Sequence, residues 1–403
     1  METAITRNRV AKPAKTGASK RRSGRSIAVV GVMAGAMMPY ASQAGQLKYF
    51  VTDLFGGHGL VINDIAEPAE NLGLSGSTLA QINTISSSIS SSLGGTALTS
   101  SLTSSAFDIS QGLAVTKTES LGPVVGERAE TLGQGKLDLG ISYSHTTFTE
   151  LNGAPLNNLN LFVISPPGQD DTANIALNIK LERQVVALSS TYGITPKWDV
   201  GIVVPLVEVK ATASATATLN PGPDAPFDSF LATGTNAVHS QTGGEKGGLG
   251  DIAVRTKYNF VRDQSWLPDI SGFGQVQLPT GDAENLLGSG STDILGEIIL
   301  SKQLGLVAPH LNLGYEQAIA GADKSNIRYV AGADVHILDN LTGAVDLVGR
   351  GQPGSTDTLD IAFGARWRPF DIGVIGANFS VPLNKSVGLR PDYSWSVSAN
   401  FTF

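Results

Sequence analysis

The sequence predicts an all-β chain, a transmembrane, antiparallel, up-and-down β-barrel of about twelve strands with a partly helical, serine-rich segment before it. Three observations lead there. From about residue 134 onward, apolar and polar side chains alternate in segments of roughly ten residues, the length a tilted strand needs to cross a bilayer. The joints between these segments alternate between short and long. The last eleven residues place Tyr393, Trp395, Val397, Ala399, Phe401 and Phe403 on one face of a strand and Ser394, Ser396, Ser398, Asn400 and Thr402 on the other.

Taken in order, the chain opens with a basic stretch (Lys12, Lys15, Lys20, Arg21, Arg22, Arg25), an apolar run from Ile27 to Met38, and then Pro39 to Ala44. This reads as a signal peptide over residues 1–44, with Ser42 and Ala44 as the small residues before cleavage. Twelve apolar residues are too few to cross about 30 Å of hydrocarbon as a helix. Arg21-Arg22 is followed by Ser23 and Gly24, where a twin-arginine signal has apolar residues, so export in the unfolded state is expected. No other stretch approaches about 18 uninterrupted apolar residues, which leaves strands as the means of crossing a membrane. The chain has no cysteine, 47 glycines and 16% charged residues, as suits a turn-rich β protein that passes an oxidising compartment. Cleavage after Ala44 lowers the basic residues from 28 to 20 and the acidic ones from 35 to 34, and the resulting charge of −14 argues against a nucleic-acid partner.

Residues 45–133 are expected to form an N-terminal periplasmic arm or plug. Ile82, Ile85, Ile89 and Leu93 recur at helical spacing with serines between them, Gly94-Gly95 interrupts, and Leu98 and Leu102 resume the pattern, which predicts one or two short amphipathic helices. The barrel is expected over 134–403, with strands near 135–148, 174–190, 199–214, 250–261, 269–280, 292–303, 306–319, 325–337, 340–351, 356–367, 371–382 and 392–403. Short joints at Thr195 to Trp198, Arg262 to Pro268, Leu304 to Leu306, Asp339-Asn340 and Arg368 to Asp371 mark a periplasmic rim. The long joints 149–173, 215–249, 281–291 and 383–391 mark the exterior. Twelve strands bring both barrel ends to the periplasmic rim, where the strand ending in Phe403 is expected to engage the insertion machinery of a bacterial outer membrane. In 174–190 the alternation through Ile175, Leu177, Ile179 and Leu181 gives way at Arg183, where a β-bulge would restore register. In 199–214 the run Ile202 to Val204 is apolar on both parities.

Assigning the more apolar parity of each strand to lipid sends the other parity into the lumen. That inward set comprises Asp251, Arg255, Lys257 and Asn259; Ser271, Gln275 and Gln277; Asp293, Glu297 and Ser301; His310, Asn312 and Glu316; Arg328, Asp334 and His336; Asp346 and Arg350; Asp360 and Arg366. Both signs occur on most of these strands, so neighbouring strands are expected to pair charges across the interior. Unpaired burial would cost several kcal/mol per ion. The outward parity supplies girdle aromatics: Tyr143, Tyr258, Phe260, Tyr315, Tyr329, Phe363, Trp367, Tyr393 and Trp395.

Catalytic and metal chemistry find little support. The five histidines lack a Gly-x-Ser-x-Gly elbow, and a lumen hydrolase would have to be built on His310 or His336 with Glu316 or Asp334. Gly281 to Thr292 has no lysine where a phosphate loop needs one, and Asp282, Glu284 and Asp293 lack the ligand spacing of a calcium loop. No enzyme activity, cofactor or metal is expected.

Val276-Gln-Leu-Pro-Thr-Gly-Asp282, then Leu287-Gly-Ser-Gly-Ser-Thr292, together with Gly250-Asp-Ile-Ala-Val-Arg255 and the final aromatic strand, resemble a family of proteobacterial outer-membrane proteins described as transporters of the MetA pathway of phenol degradation. The resemblance covers roughly 134–403, implies a barrel of this type and links it to aromatic compounds. It carries over no substrate-contacting residues, and the serine-rich stretch 76–106 departs from the family's compact barrel. The expected function is passive passage of small aromatic or hydrophobic molecules across the outer membrane. The alternative is a structural or surface-interaction barrel whose lumen is closed by its charge pairs.

Overall fold

Among the described residues, twelve strands close into one antiparallel barrel. They are β1 (Leu137–Leu151), β2 (Thr172–Thr195), β3 (Trp198–Asn220), β4 (Ala253–Val261), β5 (Asp269–Gln277), β6 (Thr292–Ser301), β7 (Val307–Ala320), β8 (Asn326–Leu338), β9 (Leu341–Gly351), β10 (Thr358–Phe370), β11 (Gly373–Pro382) and β12 (Leu389–Thr402). Each pairs with its neighbour in sequence, and β12 returns to β1, Phe401 opposite Leu139 and Val397 opposite Tyr143. The computed structural model describes residues 46–55, 62–63, 76–94, 120–164, 172–220, 229–230, 234–262, 264–320, 325–351 and 357–403. The expected signal peptide, and Leu98 and Leu102 of the expected helical stretch, lie outside them.

The fold class and the strand count expected from alternation are borne out. Ten of the twelve strands begin and end within three residues of the expected borders. One rim carries tight turns such as Pro196-Lys197 and Asp339-Asn340, and the other carries the long loops. At the short-turn rim the barrel closes to its last residue, with Leu137 N donating to Phe403 O at 2.9 Å and Phe403 N to Leu137 O at 2.8 Å.

β2 and β3 depart from expectation. They run for 24 and 23 residues and pair without interruption from Thr172↔Asn220 to Gly193↔Asp199, so the chain has no bulge near Arg183. Parity does not change at Arg183. Odd residues face inward along the whole of β2 and β3, from Ser189 and Asp199 near the turn to Ile175 and Ala217 near the far end, all buried or nearly so. What changes is the outward face. Trp198, Ile202 and Leu206 are exposed apolar side chains, after which β3 turns Glu208 and Lys210 outward, beside Glu182 and Lys180 of β2. Trp198 to Leu206 covers nine residues, the span a tilted strand needs for a bilayer. Beyond it the hairpin continues as a sheet widened by Leu159–Ile164 on the β2 side and Ala237–Leu249 on the β3 side, strands inside joints expected to be loops.

The inner face of this extension is a separate apolar core. Large side chains on β2 sit opposite alanines on β3: Ile175↔Ala217, Leu177↔Ala215, Ile179↔Ala213 and Leu181↔Ala211. The alanine row leaves room for two 3₁₀ turns, Leu47–Tyr49 and Thr52–Phe55, and a helix, α1 (Gly76–Gly94), to bury Leu47, Phe50, Leu54, Ile82, Ile89 and Leu93 in the same cluster. Each of those side chains contributes roughly 1.5–3 kcal/mol by leaving water. The serine-rich helix satisfies its hydroxyls locally, Ser90 Oγ donating to Ser86 O at 2.9 Å, while Ser86 Oγ donates to Lys48 O at 2.8 Å and ties the helix to the first 3₁₀ turn.

Candidate functional site

Among the described residues, charged side chains from most of the wall strands converge in the lumen. Its short-turn half is crossed by residues 120–132, an extended stretch with no strand partner. Backbone N–H and C=O groups buried in this way need acceptors and donors from elsewhere, and inward side chains of the wall supply them. Thr342 Oγ1 accepts from Leu121 N at 2.8 Å, and Arg366 donates to Leu121 O at 3.4 Å. Asn378 Nδ2 donates to Val124 O at 3.4 Å. Asn312 pairs with Glu127 as a strand residue would, Oδ1 accepting from its N and Nδ2 donating to its O, both at 3.0 Å. Ala129 donates to Ser301 Oγ at 3.0 Å and accepts from Asn259 Nδ2 at 2.9 Å and from Ser271 Oγ. Leu132 N reaches Asp199 Oδ2 at 2.7 Å, beside the β2–β3 turn.

A five-membered polar chain fastens the middle of this stretch. Asp346 Oδ2 accepts from Val125 N at 2.7 Å and Gly126 N at 3.0 Å, while its Oδ1 lies 2.8 Å from His310 Nε2. His310 Nδ1 is 3.5 Å from Asp334 Oδ1, and Asp334 Oδ2 is 2.5 Å from the Arg128 guanidinium. The chain thus starts on the backbone of the stretch and ends on its side chain. His310, Asp334 and Asp346 are all buried. Gly126 is required by the approach, since a Cβ there would lie 2.7 Å from the His310 ring. On the other side Glu127 meets Lys257 at 3.2 Å and Arg255 at 3.9 Å, and Lys257 also donates to Arg128 O at 3.2 Å. The void left between Glu127, Arg255 and Phe273 is about 20 Å³, space for roughly one water.

The long-loop half is arranged differently: wall pairs with wall. Arg350 reaches Glu316 at 2.7 Å across β8, and Arg390 pairs with Asp360 across β11. Arg328 lies opposite Arg350 on one side and opposite Gly314 on the other, and Gly314 in turn lies opposite Glu297. Asp293 accepts from Ser291 Oγ at 2.9 Å. Gln275 is half-buried beside Arg255 and Leu295. Asp251 is a hub: its carboxylate accepts from Gly281 N at 2.9 Å, Ser289 N at 2.7 Å, Ser289 Oγ at 2.8 Å and Gln277 Nε2 at 3.2 Å. It thereby ties the Gly250 motif segment to the Gly281 and Gly288 segments of the 278–291 loop.

Several lumen residues were not singled out from the sequence. Asp138 follows the inward parity of its strand, so parity was a sufficient signal for it; Arg183 and Asp199 lie on strands whose apolar parity is mixed, and Arg390 lies in the joint expected over 383–391. Glu127 and Arg128 had none, because their stretch is aperiodic. His310 and His336 do not share a site; His336 lies 3.8 Å from Asp339 near the short-turn rim, and neither histidine is hydrogen bonded to a serine among the described residues. Asp282, Glu284 and Asp293 also go separate ways: Asp282 caps a 3₁₀ turn, Glu284 pairs with Lys48 at 3.0 Å, and Asp293 takes Ser291.

No family model matches the chain, and no curated protein matches it either. Among solved structures, it is similar to an outer-membrane channel from Pseudomonas putida F1, at 13% identity over 68% of this chain and 98% of that one, with a TM-score of 0.44. The CymD monoaromatic hydrocarbon channel follows at 11% identity, 67% and 89% coverage and a TM-score of 0.35. The NanC porin stands at 10% identity, 66% and 98% coverage and 0.34.

Proposed function

We propose that the chain is an outer-membrane channel for passive passage of small aromatic or apolar molecules, held shut by residues 120–132. The observation that carries this reading is the nature of the obstruction. A barrel needed only as a scaffold can fill its interior with the wall's own side chains; here the filling is a separate stretch of chain, held by side-chain hydrogen bonds and ion pairs that can be exchanged for water. The outward apolar band with Trp198, Tyr258, Phe260 and Trp367 at its borders supports a lipid setting, with the short-turn rim in the periplasm. The resemblance of segments within 134–403 to transporters linked to aromatic compounds supports an aromatic or apolar solute. In the long-loop half the solute meets Glu316, Arg350, Arg328, Glu297 and Asp293, then the 120–132 stretch.

The competing reading, a closed structural barrel, is favoured by the small void at Glu127 and by the wall-to-wall ion pairs. Single-channel recordings separate the two. The intact chain should be closed or flickering, and deletion of 46–130 should give a steady conductance. No conductance in either form, with no solute uptake into liposomes, sinks the channel reading.

A further inference from the structure

Two adjacent turns at the short-turn rim, Leu338 to Leu341 and Phe370 to Gly373, frame a depression of about 650 Å³ whose lining includes His336 but no residue of the 120–132 stretch. Both hairpins lose ladder register at this level, between His336 and Leu338 and between Trp367 and Phe370, and such irregularities splay strands and re-aim their side chains. Arg368 lies at the seam. Its backbone N–H donates to Asn340 O at 2.8 Å and its guanidinium to Asp339 O at 2.9 Å, so the cation is pinned by the neighbouring turn. Asp339, its side chain 82% exposed and 3.8 Å from His336, and Asp371, also exposed, line the same depression from the two turns. The wall side of the depression is apolar and exposed, with Leu338 at 58% and Phe370 at 64%, and it continues into Trp367 on the outward face.

We infer that this depression seats the headgroup of a primary-amine phospholipid, the phosphate on Arg368 and the ammonium between Asp339 and Asp371. The inference rests on the membrane orientation proposed above, which brings this rim to the phospholipid leaflet. Charge complementarity selects the occupant. A guanidinium binds phosphate through paired N–H groups, while two carboxylates set on either side need a cation that donates hydrogen bonds. A primary ammonium offers three N–H donors, a choline none, and a glycerol headgroup carries no cation. Exposed Leu338 and Phe370 then meet the start of the acyl chains, as interfacial side chains do.

The test is lipid retention by the full chain in nanodiscs prepared from phosphatidylethanolamine, phosphatidylcholine or phosphatidylglycerol, read by native mass spectrometry after mild detergent release. Phosphatidylethanolamine should be kept at least about tenfold more than the other two, the size of one charge-assisted hydrogen bond. Arg368→Ala should lose retention of all three. Asp371→Asn, an exposed change, should keep the protein folded and narrow the gap between ethanolamine and choline lipids. Equal retention of the three lipids, preference for phosphatidylglycerol, or retention unchanged in Arg368→Ala would each overturn the site while leaving the channel reading intact. Failure of the chain to insert into lipid at all overturns both.

Discussion

The segments docked at the two ends of the barrel are held by opposite chemistry. At the long-loop end, α1 and the 3₁₀ turns bury Leu47, Phe50, Leu54, Ile82, Ile89 and Leu93 against an apolar sheet. At the short-turn end, residues 120–132 are held by Asp346, Asp334, Asn312, Lys257 and Asp199. Apolar burial is non-directional, so the first closure tolerates small shifts and weakens in proportion to the area lost. Hydrogen bonds and ion pairs are directional, and losing one partner strands the other in a buried place. The second closure is therefore the one able to let go in a step, and it is where a gate is better placed.

The largest effect should come from breaking the polar closure at its side-chain end. Arg128→Ala leaves the buried Asp334 without its guanidinium partner and with the His310 ring, 3.5 Å away, beside it, at a cost of about 3–5 kcal/mol to docking of the stretch. Protease access to residues 120–132 and channel current should both rise. If current stays at the wild-type level while the stretch becomes cleavable, the gate lies elsewhere. Truncating the apolar closure by Ile89→Ala should cost about 2–4 kcal/mol through transfer and cavity terms, seen as a lower melting temperature of the α1 region by hydrogen exchange. Current should remain low, since the polar stretch is untouched; an open channel in this variant would reverse the assignment of roles between the two ends.

Smaller again is Asp346→Asn, which keeps an acceptor for Val125 and Gly126 but removes the charge, for about 1.5–3 kcal/mol and an intermediate open probability in planar bilayers. Least should follow from Lys48→Ala. The Lys48–Glu284 pair at 3.0 Å is exposed at the long-loop rim, and such pairs contribute at most about 1 kcal/mol. The hydrogen bond with Glu284 raises the Lys48 amine above its ordinary value. Its contribution is therefore full below that ordinary value and fades as pH rises through the raised one. Thermal melts of wild type and variant should converge at strongly alkaline pH and under high salt; a variant several degrees less stable at neutral pH would mean the pair does more than exposure allows.

How far the sequence reached differs along the chain. β4 through β12 were legible because a strand inside a bilayer has one apolar and one polar face, and period-two alternation reports that directly. β2 and β3 were legible only up to Arg183. Past that point the strands leave the apolar band, and their inner face turns apolar because it packs on α1, so the rule that assigns the apolar parity to lipid inverts while the parity itself runs on. Reading that inversion as a bulge was the natural error for a rule that takes lipid as the only apolar neighbour.

By itself, then, the sequence determined the barrel, its strand count, its two unlike rims and, from β4 through β12, the direction in which the wall side chains point, since all of these depend on local alternation and turn chemistry. Only the tertiary structure decided what the inward groups meet. Lys257 and Glu127 are 130 residues apart and Arg128 and Asp334 are 206 apart, and the stretch that joins them to the wall has no period to announce its register. It is placed by the wall's donors and acceptors, whose positions exist only once the twelve strands have closed.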